Sequence, residues 1–297
     1  MRGFYVGLAI LFAAPALAAD APADLVRKRF ASKYTAATWG DVSAFDPTSE
    51  LEIGDGYGHG FTLGWIRFRP DKNGVYVLSI QYEAEFNPYC SKWPPDIAPV
   101  KVTLARMTTE AYVALLKDMA IVNSATVKDS DNNTGSVSSS DFWVQARLTH
   151  GKKTSIDLDW AGYKSSLGEV EYKKPQIAVE LVHEAMEKLK FKAYTLTAAD
   201  RTWASERFKR HWEKHQKAEF YWWVNERAIV MIGVVGDATA LQTLRDVMDG
   251  DPKKCPVYLA INAITRLTKN DLREKPIEEM DVEKTRKKVL ESLRDVK

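Results

Sequence analysis

The chain is short of several things, and each shortage removes a class of protein. Only two cysteines, Cys90 and Cys255, occur in 297 residues. No CxxC pair is present, so a thioredoxin-type redox centre and a disulfide-dense scaffold are excluded. An excess of one charge is missing too. The 42 basic residues stand against 40 acidic ones, a net +2, so the balance gives no strong field for nucleic acid or an anionic membrane surface. Beyond the N-terminus no apolar run approaches the roughly 20 residues of a membrane-spanning helix. GxSxG and SxxK are absent, and neither cysteine has a recognisable nucleophile context.

What is present is the composition of a folded globule, 45% hydrophobic and 28% charged. Residues 1–19 read as a cleavable secretory signal: Arg2 precedes an apolar run over residues 4–14, followed by Pro15 and the small-residue stretch Ala16-Leu17-Ala18-Ala19. The expected location is therefore a periplasm or the exterior, with no transmembrane segment in the mature chain. In that oxidising setting Cys90 and Cys255 either form one bridge or stay as two buried thiols. A bridge would close a long loop, worth about 5 kcal/mol at most on the chain-entropy model.

Patterning divides the remainder into an α+β domain over residues 20–195 and a helical region over residues 196–297. A short helix is expected over residues 22–37. Tyr76, Leu78, Ile80, Tyr82, Ala84 and Phe86 alternate with Ser79, Gln81, Glu83 and Glu85, the pattern of a half-buried strand. The turn Pro70-Asp71-Lys72-Asn73-Gly74 joins it to a strand over residues 61–68, and Val100, Val102 and Leu104 form another. Thr108 is placed to cap a helix carrying Tyr112, Leu115, Leu116 and Met119 on one face. A second hairpin has Phe142, Val144, Ala146 and Leu148 facing inward. Ile156, Leu158 and Trp160 return on the same side. A helix over residues 175–189 closes this half. Hairpins with interleaved helices imply a mostly antiparallel sheet with packed helices, not a Rossmann sheet.

After residue 195 the chain is nearly all helix-favouring, with a long basic helix expected over residues 198–223. Then come Arg227, Ala228, Ile229, Ile232 and Gly233, a Gly236-Asp237 corner, and Leu241, Leu244 and Val247. Thirty-two residues on, Ala260, Ile261, Ile264 and Leu267 repeat Ala228, Ile229, Ile232 and Val235. Residues 224–270 thereby resemble a HEAT repeat of the short bacterial type. HEAT-like arrays present a surface to another molecule, so the resemblance implies binding to a protein or envelope component more than catalysis.

Several clusters invite a chemical reading. His183-Glu184-Ala185-Met186-Glu187 is one residue short of the HExxH zincin motif. It supports a metal-dependent hydrolase centred on His183, Glu184 and Glu187 only if a third ligand exists; an ordinary polar helix face is the simpler reading. His211 and His215 lie one turn apart among Arg207, Lys209, Arg210, Lys214 and Lys217, cations that oppose a metal and suit an exposed helix. Asp129-Ser130-Asp131-Asn132-Asn133 opens like a calcium loop but lacks its glycine and its closing glutamate. The glycines of residues 54–60 lead into a strand instead of a helix, so a turn is expected there, not a phosphate loop.

With Leu148 opposite Ile156, Arg147 falls opposite Asp157 as a cross-strand ion pair. Trp143 and Asp159 share that outer face. It either meets the helical region or offers Trp143, Arg147, Asp157 and Asp159 to a small ligand or glycan. The sequence thus points to an exported, non-catalytic binding or scaffold protein without a cofactor, with the hydrolase and the glycan binder as alternatives.

Overall fold

Alternation in the central strands puts apolar residues on both faces. In the segment Gly74–Tyr82, Val75 and Val77 join one hydrophobic cluster while Tyr76, Leu78, Ile80 and Tyr82 join the other, and all six are at most 4% exposed. A strand of this kind needs cover on two sides.

The computed structural model describes residues 26–28, 37–57, 62–82, 100–127, 142–162, 169–216, 222–249, 255–271, 273 and 281–293. Its strands are β1 (Ala37–Trp39), β2 (Glu50–Tyr57), β3 (Thr62–Asp71), β4 (Gly74–Tyr82), β5 (Val100–Met107), β6 (Ala125–Val127), β7 (Phe142–His150), β8 (Lys153–Gly162) and β9 (Lys192–Ala193). Its α-helices are α1 (Thr109–Ser124), α2 (Glu169–Glu187), α3 (Ala198–His215), α4 (Trp222–Val235), α5 (Leu241–Met248), α6 (Cys255–Thr268) and α7 (Val282–Ser292). A seven-stranded sheet runs in the order β8-β7-β2-β3-β4-β5-β9, with each neighbouring pair antiparallel. The fold is α+β. No helix among the described residues is long and apolar enough to cross a membrane.

Helices α1 and α2 cover one face of the sheet. Thr108 caps α1 by accepting from the Ala111 amide, and Tyr112, Leu115, Leu116 and Met119 are buried beneath it. Each such side chain contributes roughly 1.5–3 kcal/mol by leaving water. The Tyr112 hydroxyl donates to the Ser49 carbonyl at 2.7 Å, so its polar end is satisfied as well. The opposite face lies under the C-terminal helices. Leu63, Trp65, Leu78, Ile80 and Trp143 share one cluster with Trp203, Phe208, Ala228, Ile232, Ala260 and Ile264. Gly233 lets α4 and α6 approach closely, since a Cβ there would lie 2.8 Å from the Ala263 Cα.

Several expectations change. β4 is buried on both faces, not half-buried, because the helical region supplies the second cover. The helix expected over residues 175–189 begins at Glu169 and passes through Pro175. The single long helix over residues 198–223 is two, since α3 stops at His215. Asn225, from α4, donates to the His215 carbonyl at 3.4 Å and satisfies one of the terminal acceptors. Within residues 22–37, Val26–Lys28 are helical and Ala37 opens a strand. Gly54 and Gly56 belong to β2 instead of a turn. Cys90 and residues 129–133 lie outside the described residues, as does the side chain of Cys255.

Candidate functional site

Two polar constellations lie on opposite faces of the sheet. The first is the outer face of β7 and β8. The expected register holds, with Leu148 opposite Ile156 and Arg147 opposite Asp157. The expected ion pair does not form: Arg147 Nη2 donates to Thr154 Oγ1 at 3.4 Å, while Asp157 pairs with Lys214 at 4.0 Å. α3 lies across this face. Trp143 is 0% exposed and donates from its indole to Asp159 at 3.0 Å. Asp159 also meets His215 Nε2 at 2.7 Å and Lys214 Nζ at 3.1 Å. Burial alone would raise its pKa, but His215 and Lys214 outweigh burial and hold it down at about 2.

His211 and His215 are therefore buried, not displayed on an exposed helix. The physical reason is the face they occupy, because Trp203, Arg207, His211 and His215 recur at helical spacing toward the sheet. His211 meets Asn225 Oδ1 at 2.9 Å, and burial lowers its pKa to about 3, with His215 adding to the effect. Nearby, Glu52 of β2 accepts from Trp203 at 2.7 Å, Arg207 at 3.2 Å and Arg210 at 2.8 Å. Burial works against its ionisation, yet the two guanidinium groups keep its pKa below the ordinary value. Gly54 makes the crossing possible, since Trp143 and Arg207 occupy the space a Cβ would need. These residues clamp the helices to the sheet, and a ligand could reach the enclosed Trp143 only by displacing α3.

The second constellation sits on the α1/α2 face, where three cross-strand rows grade from apolar to polar. The row Leu51, Phe68, Val77, Ala105 is entirely apolar. The next is Ile53, Ile66, Ser79, Thr103, and the one beyond it is Asp55, Gly64, Gln81, Lys101. Over this polar end passes the C-terminal part of α2. Between them lies a groove of about 360 Å³ with Ile66, Ser79, Gln81, Lys101 and Thr103 on the sheet side and His183, Met186, Glu187 and Phe191 opposite.

Its geometry is built, not incidental. Gly64 leaves the space into which Asp55 turns, since a Cβ at Gly64 would lie 2.6 Å from Asp55 Oδ1. Asp55 Oδ2 in turn holds His183 Nε2 at 3.2 Å. That contact raises the His183 pKa against the opposing effect of burial. Ser79 is 2% exposed, and its Oγ has no hydrogen-bond partner among the described residues. A sealed hydroxyl without a partner costs about 1–3 kcal/mol.

Of the HExxH-like residues, His183 and Glu187 thus reach the groove, while Glu184 is exposed. Among the described residues no three His, Cys, Asp or Glu side chains are grouped to hold a metal ion. Sequence reasoning missed Asp55, Ser79, Gln81, Lys101 and Thr103. The signal was the switch along alternate positions of β4 from Val75 and Val77 to Ser79 and Gln81, matched in β5 by Met107 and Ala105 giving way to Thr103 and Lys101. No protein-family model matches this chain, and neither the curated proteins nor the solved structures offer a match.

Proposed function

We propose that this is an exported, non-catalytic binding protein of the cell envelope, and that its ligand site is the groove between α2 and the polar end of the sheet. The observation that carries the proposal is Ser79, a sealed hydroxyl with no partner among the described residues, in the floor of a groove that also holds Gln81, Lys101, Thr103, His183 and Glu187. A buried group left without a partner calls for an explanation, and a partner arriving from outside the chain is one. Binding is favoured over nucleophilic catalysis because the Ser79 hydroxyl donates to no base among the described residues.

The C-terminal helices, with their HEAT-like pattern, brace the sheet from behind in this reading. Native mass spectrometry of the protein recovered from its own host tests the proposal. The full-length mature protein should carry a small-molecule adduct that Ser79→Ala lacks or holds far more weakly. An adduct retained equally by a folded Ser79→Ala variant would place binding elsewhere.

A further inference from the structure

We infer that the groove accepts a neutral, polyhydroxylated ligand, a saccharide of one or two rings, in preference to an ion. The inference rests on the binding reading above and specifies its ligand.

Charge decides against ions. Asp55 and His183 neutralise one another at 3.2 Å when the imidazole is protonated, and Lys101 and Glu187 bring opposite signs to the same groove. With both signs present in balance, the site lacks the one-signed field that concentrates an anion or a cation.

Hydrogen-bonding capacity points the same way. Ser79 and Thr103 present hydroxyls and Gln81 presents an amide, groups that each donate and accept. A sugar hydroxyl has the same dual character, so these three can be satisfied by adjacent hydroxyls of one ring without burying a charge. Ser79 is the strongest constraint, since its sealed Oγ needs a group that comes to it. The remaining walls are Ile66, Met186 and Phe191, apolar surfaces that suit the C–H face of a pyranose. At about 360 Å³ the groove lies near the small end of the roughly 300–1,000 Å³ range of ligand sites, which favours one or two rings over a longer chain.

Saturation-transfer NMR on the full mature chain tests this, with glucose, N-acetylglucosamine, maltose and N,N′-diacetylchitobiose as neutral probes and glutamate and glycylglycine as charged ones. At least one saccharide should bind, and Gln81→Ala and Thr103→Val should each weaken it about tenfold while leaving the melting temperature near that of the parent. Binding should also persist when salt is raised to about 0.5 M. Glutamate or glycylglycine binding in place of the sugars, and lost in the same variants, would overturn the saccharide assignment while keeping the groove as a site. Sugar binding untouched by both substitutions would overturn its placement in the groove. A panel in which nothing binds would overturn the saccharide assignment, while a small-molecule adduct lost in Ser79→Ala would still uphold the groove as the site.

Discussion

Glu52 and Arg207 are 155 positions apart in the chain and 3.2 Å apart in the structure, joined across the boundary between sheet and C-terminal helices. Arg207 is 2% exposed, and burial lowers its pKa to about 10 although Glu52 works to raise it. The guanidinium stays charged at neutral pH and depends on Glu52. Glu52→Ala should therefore destabilise the protein by about 3–5 kcal/mol in urea unfolding, because it leaves a buried cation unpaired. Glu52→Leu combined with Arg207→Met should recover much of that loss. A Glu52→Ala effect below about 1 kcal/mol would show that the clamp adds little.

The clamp also predicts how the chain can be cut. A fragment ending at residue 195 would expose Leu63, Trp65, Leu78 and Ile80, which lie in one cluster with the C-terminal helices. Such a face is an aggregation hazard. The fragment should be insoluble, or should bind a hydrophobic dye without a cooperative melt. A soluble fragment melting as cooperatively as the whole chain would mean the two parts fold independently.

Acid stability should follow His211. Its folded pKa of about 3 lies below the ordinary histidine value of about 6.5, so the unfolded chain takes up the proton first. Stability from this group is fully present above about pH 6.5 and is lost progressively as pH falls toward 3, by up to about 1.4 kcal/mol per pH unit. The raised pKa of His183 acts in the other direction. Its contribution is complete below about 6.5 and declines as pH rises through its folded value, so it does not mask the acid slope. His211→Gln should flatten the dependence between pH 6.5 and 4, measured by urea unfolding at stepped pH.

Much of the sheet was legible in the sequence because period-two alternation is local. The register of Leu148 with Ile156 and the Thr108 cap both follow from a few adjacent residues. What was not legible was the partner of each face. Ser79 and Gln81 read as solvent-facing because nothing nearby announces that α2 arrives above them from a hundred residues downstream. His211 and His215 read as exposed because their neighbours Lys209, Arg210 and Lys214 are charged. Only the long-range contacts with Trp143 and Asp159 reveal that the histidines face inward. Gly54 was misread as part of a turn in the same way: it and Gly64 make room for side chains of other residues, which no local rule foretells.

Those two glycines give a direct packing test. Gly54→Ala places a methyl where Trp143 and Arg207 already lie, and should cost about 1–3 kcal/mol with a visible change in tryptophan fluorescence. Gly64→Ala displaces Asp55 from beside His183 and should weaken ligand binding more than it lowers stability. Equal behaviour of the two variants in both assays would contradict this division of roles.

Ser79→Ala separates function from folding. Removing a sealed hydroxyl without a partner among the described residues should leave the ligand-free protein as stable as the parent or about 1–3 kcal/mol more stable, read from its urea midpoint. A loss of more than about 1 kcal/mol would mean that the hydroxyl supports the fold.

Hydrogen exchange on the full chain, with and without a saturating saccharide from the panel, tests the groove as the ligand site. A ligand in the groove should add protection in β4 around Ser79 and Gln81, in β5 around Lys101 and Thr103, and at the end of α2 from His183 to Glu187. Protection confined to the C-terminal helices α5–α7, or to the β7–β8 face beneath α3, would contradict it.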